Sequence, residues 1–231
     1  MVRSLVPGLG PIVRLAERHR ALLALLGVHA ILYWANQTAG SPLATAPVEC
    51  VSGAAAEVLL TGSGGAWGPL DSFDGTLGGM FVAAVAGLPL FALAGVTAWT
   101  VKLVAWGFAL AVLGTVYGLL DRHESRRAAL LATAGLAFAP PALAQTALIV
   151  GNWHWTELLF DYGVAFGAWE LLRAEQRRGP QDAGGPRGPA ARWAALGLAT
   201  GLGIFNCFGS LPFLAASWGA LLVALGRQRG L

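Results

Sequence analysis

Glu157 and Asp161 stand four residues apart, directly after a turn that reads Gly151-Asn-Trp-His-Trp-Thr-Glu157. On a helix that spacing puts both carboxylates on one face. Carboxylates on a helix that enters a membrane are costly and by default signal a function or a specific partner, and the same turn carries His154. A third acid, Glu49, lies in a stretch that has no lysine or arginine between Arg20 and Lys102. Without a basic neighbour in sequence, its carboxylate can serve as a general base or a metal contact, or simply as a solvated loop acid. Lys102 is the counter-ion available to these acids, or the group that holds an anion such as a lipid phosphate. Three neighbours have plainer readings. Trp153 and Trp155 suit an aromatic belt, Glu170 an ion pair with Arg173 or Arg177, and His29 a donor in helix packing.

The elements that must position these groups are apolar. The chain has 231 residues, 56% of them hydrophobic and only 12% charged, where a soluble domain carries about 25% charged residues. Apolar runs of about 20 residues recur, each long enough to cross a hydrocarbon core. Runs of that length are helices rather than barrel strands. The expected fold class is therefore all-α, a polytopic membrane helix bundle. The net charge of +3 does not point to nucleic acid. Fourteen of the fifteen basic residues sit in the segments 3–20, 122–127, 173–192 and 227–229, between apolar runs, which is how positive charge sets membrane orientation.

That rule gives a topology. Residues 1–20 form a cytoplasmic amphipathic segment, and 21–226 a single transmembrane domain closed by a cytoplasmic tail, 227–231. Behind the first run, Ala44-Thr-Ala46 also fits a signal-peptide cleavage site. The basic segments 1–20 and 121–127 share one side, so the chain between them crosses an even number of times, yet three apolar runs lie there. The run 76–95 is rich in glycine and carries Pro89. It reads as an interfacial or re-entrant helix within an outer loop, 41–96, that holds a second short helix at 52–60. Spans are expected at 21–39, 97–120, 128–150 with a kink at Pro140-Pro141, and 157–172. A cytoplasmic linker, 173–192, then leads to two short spans separated by a break at 206–212. That makes six crossings. Lys102 would snorkel toward the outer interface, and Cys50 and Cys207 would share the outer side, where a disulfide can form.

No Walker motif, dinucleotide fingerprint, serine elbow or zinc spacing occurs. The order of features instead resembles the GT-C superfamily of integral membrane glycosyltransferases, which includes protein mannosyltransferases and lipid A aminoarabinose transferases. The resemblance runs from Glu49 through Leu88-Pro-Leu-Phe-Ala-Leu-Ala-Gly95 and Lys102 to Asp121-Arg-His-Glu-Ser-Arg-Arg-Ala-Ala-Leu-Leu131. It continues through Ala139-Pro-Pro141, the turn ending at Glu157, and Gly197-Leu-Ala-Thr-Gly-Leu-Gly203. It implies transfer of a sugar from a polyprenyl-phosphate donor to an acceptor on the outer face of a bacterial inner membrane, the N-terminus being cytoplasmic. Glu49 would be the base or metal contact, Glu157 the second acid, and Lys102 the donor-phosphate ligand. His154 and Asp161 would line the cavity, and a divalent metal would be a fitting cofactor. Glu49 is followed by Cys50 rather than by a second acid. The chain also matches the family's amino-terminal module alone, so a partner membrane subunit would supply the other half. The alternative is a non-catalytic integral membrane subunit that binds lipid or partner helices. A transporter is disfavoured because no inverted repeat is evident.

Overall fold

The computed structural model describes residues 16–39, 47–63, 78–138, 153–177, 188–207 and 210–228. Among these the fold is all helical, with eight principal helices: α1 Arg20–Ala39, α2 Pro47–Thr61, α3 Gly78–Ala94, α4 Ala98–His123, α5 Arg126–Ala137, α6 Trp153–Gln176, α7 Gly188–Asn206 and α8 Leu211–Gln228. Helices α4 and α6 are the spine. Val101, Val104 and Ala105 at the start of α4 pack with Ala55 and Ala56 of α2 and Ala83, Ala84 and Phe91 of α3. Farther along, Ala109, Val112, Leu113 and Val116 pack around Trp155 of α6. The opposite face of α6, at Val164, Ala168 and Leu171, meets Leu196 of α7 with Leu214 and Leu221 of α8.

Local chemistry sets the corners. Gly95, at φ +76°, takes the left-handed conformation that ends a helix without a Cβ penalty, and its N–H donates to Phe91 O at 2.8 Å. Two residues on, Thr97 caps α4. Its Oγ1 accepts from the Thr100 N–H at 3.2 Å, and its own N–H donates to Thr100 Oγ1 at 2.9 Å. Ser125 opens α5 in the same way, accepting from the Ala128 N–H at 3.1 Å. The expected tight turn at 121–127 is this α4–α5 corner.

Helix α3 runs through Pro89 without breaking and packs against the first turns of α4. The Gly87 position faces Val104, while Phe91 joins the cluster at the start of α4. These contacts set the second half of α3 against the first turns of α4. Gly53 of α2 meets Val96, just past the end of α3, so α2 and α3 are antiparallel. Gly53 of α2 and the end of α3 thus both lie beside the start of α4.

The remaining helices line up end to end. His19, just before α1, contacts the Tyr117 hydroxyl through Nδ1 at 2.9 Å, and Tyr33 donates to the Lys102 carbonyl at 3.0 Å, so α1 is antiparallel to α4. Glu170 of α6 reaches Arg122 at the far end of α4. Arginines 122, 173, 177 and 192 thus collect at one end of the bundle. Helix α6 is longer at both ends than the expected span, and the break before α8 falls at 207–210. The kink at Pro140-Pro141 lies outside the described residues.

Around this apolar core, many large apolar side chains also face outward. Leu93 is 88% exposed, Ile31 70%, and Leu131 and Leu198 66% each, whereas Lys102 is 2% exposed and Thr133 and Ser210 are fully buried. Among the described helices one, α4, is both long and apolar enough to cross a membrane unaided.

Candidate functional site

Two polar centres lie toward the end of the bundle opposite the arginines. The first is at Lys102 in the second turn of α4, close in sequence to the buried Thr100 and reached by Tyr33 of α1. Tyr33, which donates to the Lys102 carbonyl, belongs to an aromatic cluster with Trp34, Trp99 and Trp106, ring centroids 5.3 to 6.4 Å apart. Lys102 is the largest fully buried side chain of the described residues. Its ammonium therefore does not snorkel to the interface as expected, because α1, α2 and α3 close over this turn of α4. Glu49 occupies the first turn of α2, four residues before Gly53. The two positions share a face of that helix, and the Gly53 position is the one that meets Val96 and Val101. The side chains of Glu49, Cys50 and His154 lie outside the described residues, and so does the expected Cys50–Cys207 bridge.

The second centre is built by the N-terminal half of α6 against the junction of α7 and α8. Asp161 is 7% exposed, Asn206 2% and Ser210 0%. Asn206 Nδ2 donates to Thr156 Oγ1 at 3.2 Å. Ser210 faces the Asp161 carboxylate, with Glu157 one turn away on α6, but Asp161 Oδ1, Asn206 Oδ1 and Ser210 Oγ lack an aligned hydrogen-bond partner. The Asp161–Ser210 contact is a proximity rather than a formed bond. Buried acceptors left in this state are costly unless they serve a ligand or a water. The set is rich in oxygen acceptors and suits a hydroxyl-bearing molecule or a small cation. A metal cage is not preformed, since no three His, Cys, Asp or Glu side chains converge among the described residues; Glu157 and Asp161 are the adjacent pair a divalent ion could share.

The structure brings Glu157 and Asp161 together as their spacing implied, and adds Thr156, Asn206 and Ser210, which sequence reading passed over. A signal was present. Asn206 and Ser210 fall in the break expected between the last two helices, at the depth of Glu157, but small polar residues in a break also read as a turn. Val101 and Val104, either side of Lys102, pack with α2 and α3, whereas Asp161 faces Ser210 just before α8, and none of the three described cavities is lined by Lys102 together with either acid. Trp155 is 4% exposed and sits in the core between α4 and α6, not in a lipid-facing belt. Glu170 pairs with Arg122 at 3.0 Å and approaches His123 at 3.1 Å, in place of the expected Arg173 or Arg177, because α4 ends beside it. His29 packs as expected: its Nδ1–H donates to the Ala137 carbonyl at 3.2 Å.

No protein-family model, curated protein or solved structure matches this chain.

Proposed function

We propose that this chain is a polytopic integral membrane protein of the glycosyltransferase type that its motif order resembles, acting at the end of the bundle opposite the arginines. The membrane reading is supported by the outward-facing Leu93, Ile31, Leu131 and Leu198 around buried polar groups. Water would drive that arrangement the other way. It is supported as well by the gathering of arginines at one end. In this reading α1, α4, α6, α7 and α8 cross the bilayer together with the span expected at 128–150, while α2 and α3 form the excursion in the first outer loop.

The observation that carries the enzymatic reading is the burial of Lys102 beside the helix pair whose first turn bears Glu49. A buried ammonium calls for an anion, either a carboxylate or a substrate phosphate. In the proposed reaction Glu49 takes the proton of an acceptor hydroxyl as that oxygen bonds the anomeric carbon. The bond from that carbon to the donor phosphate breaks, and polyprenyl phosphate departs with its charge held by Lys102. Removing a positioned base costs about 10²- to 10⁴-fold in rate. Purified protein supplied with radiolabelled polyprenyl-phosphate sugar should label an acceptor, and Glu49→Gln and Lys102→Met should each abolish labelling with the melting temperature retained. Full turnover by Glu49→Gln would remove the acid from the mechanism.

A further inference from the structure

At the arginine end, two cavities join. One of about 250 Å³ is lined by Arg122, Glu170, Arg173, Arg177 and Arg192. The other, about 400 Å³, is a mainly apolar groove between α6 and α7 along Gly163, Gly167, Leu171, Leu196 and Ala199, and it shares Glu170 and Arg192 with the first. Four guanidinium groups face one carboxylate, leaving three positive charges in excess. Glu170 is held by Arg122, and Arg173 lies over the Trp169 ring at 5.3 Å. No carboxylate among the described residues pairs with Arg177 or Arg192. The groove is open where it matters: a Cβ at Gly163 would meet nothing within 4 Å.

We propose that this combined cavity binds an anionic phospholipid of the cytoplasmic leaflet, its phosphate among Arg177, Arg192 and Arg173 and one acyl chain along the groove from Leu171 to Gly163. Guanidinium forks match phosphate oxygens two at a time. Basic pockets between membrane helices on the cytoplasmic side are suited to such headgroups. An apolar groove continuous with the charged pocket selects an anion that carries a chain over one that does not. The charged end of the site lies at the opposite end of the bundle from Lys102, and although the groove reaches Gly163, two residues past Asp161, neither cavity is lined by Lys102, Glu157 or Asp161. It rests on the membrane reading alone: a chain that purified from the soluble fraction without detergent would defeat that reading as well as the site.

The test is native mass spectrometry of the full chain released from detergent, titrated with phosphatidylglycerol, with phosphatidylcholine, and with glycerol phosphate. Phosphatidylglycerol should be retained at least tenfold better than the other two. Arg177→Gln with Arg192→Gln should weaken its retention by about 30-fold, at about fivefold for each arginine near a lipid surface. Gly163→Leu, which fills the groove without touching the arginines, should weaken phosphatidylglycerol and leave glycerol phosphate unchanged. Equal retention of the two lipids, glycerol phosphate bound as well as phosphatidylglycerol, or an unchanged Gly163→Leu protein would each overturn the proposal. Should the double arginine variant not fold, Gly163→Leu and the comparison of the three ligands still decide it.

Discussion

Asn206 donates from Nδ2 to Thr156 Oγ1 across 3.2 Å in the buried seam between α6 and α7. The bond ties the last turn of α7 to the first turns of α6, at the level where Asp161 and Ser210 also meet. A side-chain hydrogen bond between membrane helices contributes about 0.6 kcal/mol on average and at most about 1.7. Asn206→Ala should therefore lower stability by about 1 kcal/mol, read by thermal unfolding in detergent. Asn206→Asp keeps the shape and removes the donor, and with Asp161 nearby it should lose more. If it unfolded at the wild-type temperature, the seam would not depend on this contact.

Glycine 87 tests the packing of α3 on α4. A Cβ there would clash with the Phe91 ring and stand 2.9 Å from Val104 Cγ2, and Phe91 is itself buried in the cluster. Overpacking of this kind costs about 1–3 kcal/mol, more than the roughly 1 kcal/mol that alanine gains over glycine in a helix. Gly87→Ala should be net destabilising. Gly114→Ala, where nothing lies within 4 Å, should be neutral or stabilising by up to that same amount. Identical melting of the two variants would mean that α3 does not approach α4 this closely.

Orientation can be read by cysteine labelling in a chain whose Cys50 and Cys207 are replaced by serine. Glu124, exposed at the α4–α5 corner, is the better reporter of the arginine end, because its neighbour Ser125 caps α5. Glu124→Cys should react with an impermeant maleimide only after the membrane is opened, and Ser63→Cys, exposed just beyond α2, should react in intact cells. Reaction of Glu124→Cys from outside would invert the topology.

The helices were legible because each rests on a local signal: an apolar run, a Thr97 or Ser125 cap, a Gly95 stop. The even-crossing argument assigns α2 and α3 to an outer excursion from charge alone, and the cysteine labelling tests that assignment. Hydropathy fixes neither which helix covers which, nor the tilt of α3, and so the burial of Lys102 and of Trp155 was missed. Both residues have plausible interfacial readings that only tertiary packing removes. Asn206 and Ser210 join Asp161 from about 45 residues away, a convergence no local pattern encodes. The arginines were seen, but orientation already accounts for basic residues beside membrane spans, and only the groove at Gly163 gives them a second use.

Glu170 separates that second use from simple ion pairing. Its carboxylate contacts Arg122 at 3.0 Å and His123 Nε2 at 3.1 Å, with side-chain exposures of 60% for the arginine and 30% for the glutamate. The indole N–H of Trp169 donates to His123 Nδ1 at 3.1 Å, so that nitrogen carries no proton and the hydrogen of the neutral ring is on Nε2, toward Glu170. A partly exposed pair of this kind contributes about 0–1 kcal/mol, so Glu170→Gln should lower the melting temperature by no more than a few degrees. The same change removes the one negative charge from the wall of the arginine pocket. If the pocket binds a lipid phosphate, Glu170→Gln should tighten phosphatidylglycerol retention, by up to about fivefold for one charge near a lipid surface. If the arginines only pair with Glu170 and mark the cytoplasmic side, retention should stay flat while stability falls. Measuring both quantities on this one variant distinguishes the roles, because they move in opposite directions only when the pocket holds an anion.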